Sequence, residues 1–320
     1  IVIVVLRLCI LFWLRLYFTK IKNERVKMSD DHLNFDDYAP SDMAKRVEHA
    51  SVRKANLSFP SLFMLAVLAG SFIALGAAFY TMVIFDSALS LGLTKLIGGV
   101  CFSLGLILVI VAGAELFTGN NLIIVGFASK YVTYKQVLKN WGISYIGNFI
   151  GSILLVFLFY FTNIWKIKDF ALAAKIIQIA ADKVNLTFLE GLTRGILCNL
   201  LVCLAVWLCY SARTVVSKVA AIIFPVTAFV ALGFEHSIAN MYFIPMGLIL
   251  KNNSNVMEAL LKIAPNINLS HLSITGFLGN LLSVTIGNII GGAILVGFVY
   301  WSIIIYPQKI KEFAKGKIKK

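Results

Sequence analysis

Charged side chains are scarce in this sequence. Asp, Glu, Lys and Arg together make up 14% of its 320 residues, where a soluble domain carries about 25%. So little charge argues against a soluble enzyme or a disordered chain. Acidic residues are the scarcer sign, 15 against 29 Lys and Arg. The five cysteines, Cys9, Cys101, Cys198, Cys203 and Cys209, form no CxxC and have no histidine nearby at metal-ligand spacing. They read as reduced packing residues, and neither a metal site nor a disulfide scaffold is expected. Of four histidines only His236 falls in an apolar run, so the buried pair that a haem-binding membrane anchor normally needs is missing. No HExxH, GxSxG or paired-Asp motif lies in an apolar run, and no Walker-type phosphate loop occurs. An intramembrane enzyme and an ATP-driven pump are therefore not expected, and no cofactor is assigned.

The abundance lies in apolar residues. They make up 59% of the chain, the mean hydropathy is +0.87, and Phe (24) and Gly (23) are common. That composition belongs to a polytopic, all-α membrane protein. The net charge of +14 would suggest nucleic acid in a soluble protein. Here the basic residues gather at the ends of apolar runs and in a carboxyl tail, Lys309, Lys311, Lys315, Lys317, Lys319 and Lys320. This reads as membrane topology and attraction to anionic lipid, with no nucleic-acid partner.

A transmembrane helix needs about 20 apolar residues, and six segments qualify: residues 59–84, 93–128, 137–161, 188–210, 219–250 and 274–306. The second and fifth are too long for one straight crossing, and polar residues interrupt each halfway, Glu115 to Asn121 and Glu235 to Asn240. With the amino end in the cytoplasm, the inside segments hold Lys45, Arg46, Arg53, Lys54, Lys130, Lys135, Lys139, Arg213, Lys218 and the carboxyl tail. The outside segments hold Lys95, Lys166, Lys168, Lys175, Lys183, Lys251 and Lys262. The inside set is about twice as large, which places both termini in the cytoplasm.

Residues 1–27 carry Arg7 and Arg15 in an apolar context and precede Met28, which opens an acidic, soluble-looking stretch. They are read as an upstream extension foreign to the natural product. If they belong to it, an interfacial amphipathic helix fits better than a seventh span, because two arginines in the bilayer are costly. Residues 28–58 then form a cytoplasmic amino-terminal segment, 59–306 the transmembrane domain and 307–320 a basic cytoplasmic tail.

The two halves echo each other. Gly113 to Asn120 and Gly233 to Asn240 both read G-x-E-x-x-x-small-N, and Gly147-Asn148-Phe-Ile-Gly151 matches Gly287-Asn288-Ile-Ile-Gly291. Each half holds an odd number of spans, so the second half enters the membrane from the opposite side. That is an inverted-topology repeat, whose interrupted helices mark a transport site near the midplane. An interruption in lipid leaves backbone groups unpaired at several kcal/mol each, and is tolerated only against protein or a wet cavity. The freed helix amino ends favour an anion.

Within this frame His236 sits at one break, after Glu235 and opposite the break that holds Thr118. Histidine can hold or release a proton near neutral pH, so it can protonate a weak-acid anion or hold it by a charge-assisted hydrogen bond. Glu115 and Glu235 occupy matching positions and are read as structural caps on freed N–H groups rather than as a proton relay. Asn148, Asn199, Asn240 and Asn288 are assigned interhelical hydrogen bonds. The G-x-x-x-G pairs Gly147/Gly151, Gly191/Gly195 and Gly287/Gly291 permit close helix contact. Lys183, in the loop before the fourth span, reads unaided as a solvated lysine. Arg194, about two turns into that span, either snorkels outward or lines an outer vestibule.

Four long stretches carry a resemblance: KLIGGVCFSLGLILVIVAGAELFTGN (Lys95 to Asn120), CNLLVCLAVWLCYSAR (Cys198 to Arg213), GFEHSIANMYFIPMG (Gly233 to Gly247) and VTIGNIIGGAILVGFVYW (Val284 to Trp301). From about Asn34 to Tyr306 the chain resembles the formate–nitrite transporter family, and within it the formate channels. The resemblance implies an aquaporin-like protomer of six helices, a homopentamer with one pore per subunit, and a place in the bacterial inner membrane. It implies apolar constrictions at Leu106 and Phe229, with Phe102 beside Leu106, and an interrupting loop at Leu116, Phe117 and Thr118. By the same resemblance Thr118 hydrogen-bonds the pore histidine, His236, Lys183 attracts anions in the vestibule, and Asn199 and Asn240 line the pore. Two positions depart from the formate-channel pattern: Gly119 stands where a serine is expected, and Arg194 where an apolar residue is.

The expected function is therefore a passive or proton-coupled channel for small monovalent anions, formate first. Passage as neutral formic acid would avoid carrying a bare charge through an apolar constriction. Nitrite or hydrosulfide transport on the same architecture is the alternative.

Overall fold

A computed structural model describes residues 37–314 of the chain. Residues 1–36, including the 1–27 extension, and Lys315, Lys317, Lys319 and Lys320 of the basic tail lie outside the described residues. Every regular element among the described residues is a helix. The first, α1 (Pro40–Ala55), opens on proline, whose fixed φ suits the first turn, and buries Met43, Ala44, Val47 and Ala50 on one face. Next come α2 (Phe59–Ile84) and α3 (Leu91–Ala112). A short helical string follows, α4 (Phe117–Asn120), a tight turn at Asn121–Ile123, and α5 (Ile124–Ala128).

Reciprocal Thr133–Gln136 capping bonds start α6 (Tyr134–Phe161). After α7 (Ala171–Val184), a second capping box, Thr187 with Glu190, starts α8 (Phe188–Cys209). Then come α9 (Val215–Ala231), α10 (Ser237–Leu250), α11 (Ser254–Ile263) and α12 (Ile274–Ile289). The last runs on through wider, π-type turns at Ile290–Phe298 and Trp301–Ile305 into α13 (Tyr306–Ala314).

Among the described residues, five helical stretches are long and apolar enough to cross a membrane: Phe59–Ile84, Leu91–Ala112, Tyr134–Phe161, Phe188–Cys209 and Ile274–Ile310. The fifth apolar run of the sequence is instead two shorter helices, α9 and α10, of 17 and 14 residues. One expectation needs correcting. Lys183 does not lie in a loop: it occupies the last turn of α7, an amphipathic helix whose Leu172, Ile176, Ile177 and Ala180 face the core. A search for spans of about 20 residues passes over so short a helix.

Close packing follows from small residues. A side chain at Gly151 would fall 1.9 Å from the Val67 carbonyl oxygen, and one at Gly291 would fall 2.1 Å from that of Ile196. These glycines let α6 lie on α2, and the π-type continuation of α12 lie on α8, backbone to backbone. The outward faces stay apolar: Phe161, Val216 and Phe224 are 72, 78 and 79% exposed. Surfaces of this kind suit lipid or neighbouring subunits rather than water.

Candidate functional site

The site is built twice, at two places where helix ends meet. α3 stops because Gly113 takes a left-handed conformation, φ 80°, and α9 stops the same way at Gly233, φ 72°. The chain runs extended for a few residues before α4 begins at Phe117 and α10 at Ser237. The Glu115 N–H donates to the Leu65 carbonyl (3.2 Å), and the Glu235 N–H to that of Arg194 (3.3 Å).

Two asparagines close what remains. Asn148 Oδ1 accepts the Phe117 N–H (2.9 Å) while its Nδ2 donates to the carbonyls of Ala66 (2.7 Å) and Glu115 (3.0 Å). Asn288 Oδ1 accepts the Ser237 N–H (2.9 Å) while its Nδ2 donates to the carbonyls of Gly195 (2.8 Å) and Glu235 (3.0 Å). This corrects the assignment of Glu115 and Glu235 as the caps. A break frees N–H and C=O groups together, and an amide can meet both at once. A carboxylate only accepts.

The glutamates form ion pairs instead. Lys54 Nζ lies 2.7 Å from Glu115 Oε1, and Lys183 Nζ lies 2.9 Å from Glu235 Oε1. Asn120 Nδ2 donates to Glu115 Oε2 (2.8 Å), as Asn240 Nδ2 does to Glu235 Oε2 (2.7 Å). A further asparagine backs each cluster: Asn140 bonds Asn120 and the Lys54 carbonyl, and Asn280 bonds Asn240 and the Lys183 carbonyl. The copies differ in detail: Asn120 Nδ2 also donates to Ser144 Oγ (3.1 Å), and Lys183 reaches both Glu235 oxygens where Lys54 reaches one of Glu115. Lys54 reaches Asn120 Oδ1 at 3.0 Å, whereas Asn240 Oδ1 is buried with no hydrogen-bond partner among the described residues. Beside Lys183 on α7, burial raises the Asp182 carboxyl above its ordinary range, with Lys175 and Lys183 pulling it back.

Between the two clusters lie Thr118 and His236, 0 and 3% exposed. Thr118 Oγ1 is 2.9 Å from His236 Nε2. His236 Nδ1 accepts the Ala239 N–H at 3.1 Å and so caps the first turn of α10. An acceptor nitrogen carries no proton, so the neutral ring holds its hydrogen on Nε2 and donates it to Thr118 Oγ1. The Thr118 carbonyl is held by Asn199 Nδ2 (3.2 Å) and Cys203 Sγ (3.3 Å).

Four cavities adjoin one another here. One of about 230 Å³ is walled by Lys183, Asp182, Arg194, Glu235, Phe102, Phe229 and His236. A chamber of about 10 Å³, room for about one water, shares Phe102, Phe229 and His236 with it and adds Leu106 and Leu116. Leu106 and Leu116 also wall a third space with Gly119, Asn120 and Lys54. That space shares Lys54, Val109, Ile110, Ala114, Val206 and Tyr210 with a wide recess of about 390 Å³ under α1. The Phe102 and Phe229 rings meet edge to face at 5.7 Å, and the Phe229 ring lies 6.1 Å from that of His236.

Of the residues singled out in the sequence, His236, Thr118, Leu106, Phe229, Phe102 and Leu116 come together at the small chamber or directly behind it. Lys183 lines the wider cavity but is ion-paired. Asn199, Asn240 and Phe117 line none of these spaces. Asn199 holds backbone carbonyls of Thr118 and Asn288, and Phe117 packs on Trp141 and Tyr145. Sequence reasoning missed Lys54, Asn120, Asn140 and Asn280. The internal repeat already pairs Asn120 with Asn240. Lys54 precedes the first span and carries no spacing signal.

The family profile described as "Formate/nitrite transporter" matches residues 41–302. The formate channel FocA of Escherichia coli K12 is 45% identical over 272 residues, 84% of this chain and 95% of that protein. FocA of Haemophilus influenzae is 38% identical over 265 residues, 81% of this chain and 92% of its own length. Among solved structures, a pentameric formate channel with formate bound superimposes with a TM-score of 0.70 at 40% identity, covering 77% of this chain and 98% of that one.

Proposed function

Because the chain belongs to the formate/nitrite transporter family, we propose that it forms a membrane channel for small monovalent anions, formate first, with one passage through each subunit of a homopentamer. The relatives named as formate channels and the likeness to a pentameric channel with formate bound support this choice. The fold is then an aquaporin-like pair of inverted three-helix repeats. Its six crossings are α2, α3 with α4 and α5, α6, α8, α9 with α10, and α12, and the second and fifth are interrupted. The paired hydrogen bonds of Asn148 and Asn288 support that reading. Both ends of the chain lie on the cytoplasmic side of a bacterial inner membrane, as the excess of Lys and Arg in those segments favours.

The observation that carries the proposal is the Thr118–His236 hydrogen bond of 2.9 Å beside an apolar chamber. An anion collects in either vestibule, near Lys54 or Lys183. Phe102 and Phe229 on one side, and Leu106 and Leu116 on the other, strip its water. A bare charge is costly there, and the imidazole Nε2–H is the donor that meets it. Because Nδ1 is tied to the Ala239 N–H, the neutral ring has one proton and one place for it. His236 thus acts as a fixed hydrogen-bond donor, and a proton that turns formate into formic acid comes from vestibule water. Thr118 orients the ring when the chamber is empty and yields it to the passing carboxylate.

Formate flux into proteoliposomes at two pH values tests this. His236→Leu removes the fixed donor and should lower flux at both pH values, and unchanged flux at both removes His236 from the mechanism. Competition by nitrite and hydrosulfide in the same assay separates formate from the alternative substrates.

A further inference from the structure

The two vestibules differ in charge. The cavity at Lys183 is balanced, Lys183 and Arg194 against Asp182 and Glu235. The recess under α1 holds Arg46, Arg53, Lys54 and Lys218 against Glu115 alone. Lys54 is spent on Glu115 and Asn120. Arg46, Arg53 and Lys218 have no carboxylate partner among the described residues, and the Nε of Arg46 is buried with no hydrogen-bond partner. A Tyr38 ring stacked 3.9 Å from the Arg46 guanidinium holds that side chain in place.

We propose that this recess is a binding site for doubly charged tetrahedral oxyanions of the phosphate class, which plug the channel mouth from the α1 side. The recess, about 390 Å³, is far larger than a one-carbon anion requires. Three unpaired cations leave a singly charged ligand only part of their field, whereas a dianion answers two of them. Its several acceptor oxygens suit the forked donors of Arg46 and Arg53. The bound dianion does not pass, because the cost of entering the apolar zone at Leu106 and Leu116 grows with the square of the charge. The site therefore blocks without being transported, and from one side only. This inference rests on the channel reading for its effect on flux, but not for binding itself.

The test uses the full-length channel in planar bilayers with both faces accessible, and inorganic phosphate above pH 7 against chloride at matched ionic strength. Phosphate on the α1 side should inhibit formate current at a concentration about tenfold lower than on the opposite side. Arg46→Gln with Arg53→Gln should weaken that block about tenfold, and Lys218→Gln should act in the same direction. Calorimetric titration of the detergent-solubilised channel with phosphate should show one site per subunit, weakened by the same substitutions. Formate current with equal phosphate inhibition from both faces, or with no calorimetric binding, overturns the proposal. So does block that appears only in bilayers lacking phosphatidylglycerol, which would give the recess to a lipid headgroup. Absence of formate current while phosphate still binds would count against the channel reading instead.

Discussion

Replacing Asn288 by leucine removes the joint between α8, α10 and α12 while keeping the number and branching of side-chain heavy atoms. The Ser237 N–H loses its acceptor, and the carbonyls of Gly195 and Glu235 each lose a donor. Gly195 lies within α8, where its carbonyl keeps the helical bond. Two groups are left bare, the Ser237 N–H and the Glu235 C=O, and Asn288 is fully buried. Each unsatisfied buried group costs about 1–3 kcal/mol, so the substitution should destabilise the fold by about 2–6 kcal/mol. Ser237 adjoins His236, so the loss should extend to transport. Unfolding in detergent micelles, followed by tryptophan fluorescence, reads the first effect, and formate flux at equal reconstituted protein reads the second. Asn148→Leu should behave alike, because its three hydrogen bonds match. A stability loss below about 1 kcal/mol with parental flux would refute the assignment of capping to these amides.

Thr118→Val keeps the shape and removes the oxygen 2.9 Å from His236 Nε2; flux should fall about tenfold, the worth of one such hydrogen bond, as stopped-flow proteoliposome assays would show. Gly119→Ser should be tolerated within about 0.5 kcal/mol, because a side chain there meets only Val206 Cγ2, at 3.6 Å; thermal unfolding checks this. The Asp182 carboxyl is raised by burial, so the folded protein binds its proton more readily than the unfolded chain does. Asp182 then costs stability above its raised pKa and costs none below the ordinary carboxylate range. The Asp182 side chain is partly open to water, which screens the effect, so Asp182→Asn should raise the melting temperature only slightly at pH 7.5 and leave it unchanged near pH 3.

Much of the architecture was legible because a membrane imposes long apolar runs and tolerates interruptions only for a reason. The repeated G-x-E-x-x-x-small-N motif located both helix ends that meet at the site. Roles were harder to read than places. Glu115 and Glu235 looked like caps because a carboxylate in an apolar run must bond something, and no spacing pointed to Lys54 on a separate amphipathic helix. Lys183 looked solvated because the helix that buries it is too short to register against about 20-residue spans. The basic recess under α1 was invisible for a related reason: Arg46 and Arg53 entered the sequence only as topology charges, and Lys218 faces them from beyond the fourth span.

His236 is pinned at both nitrogens, to Ala239 and to Thr118. Turning the imidazole over would uncap the opening turn of α10, so the passage always presents the same edge of the ring to its cargo. Selectivity and local helix fraying thereby become one property. A substitution far along α10 that loosens its first turn would change what the channel accepts before it changed whether the channel folds.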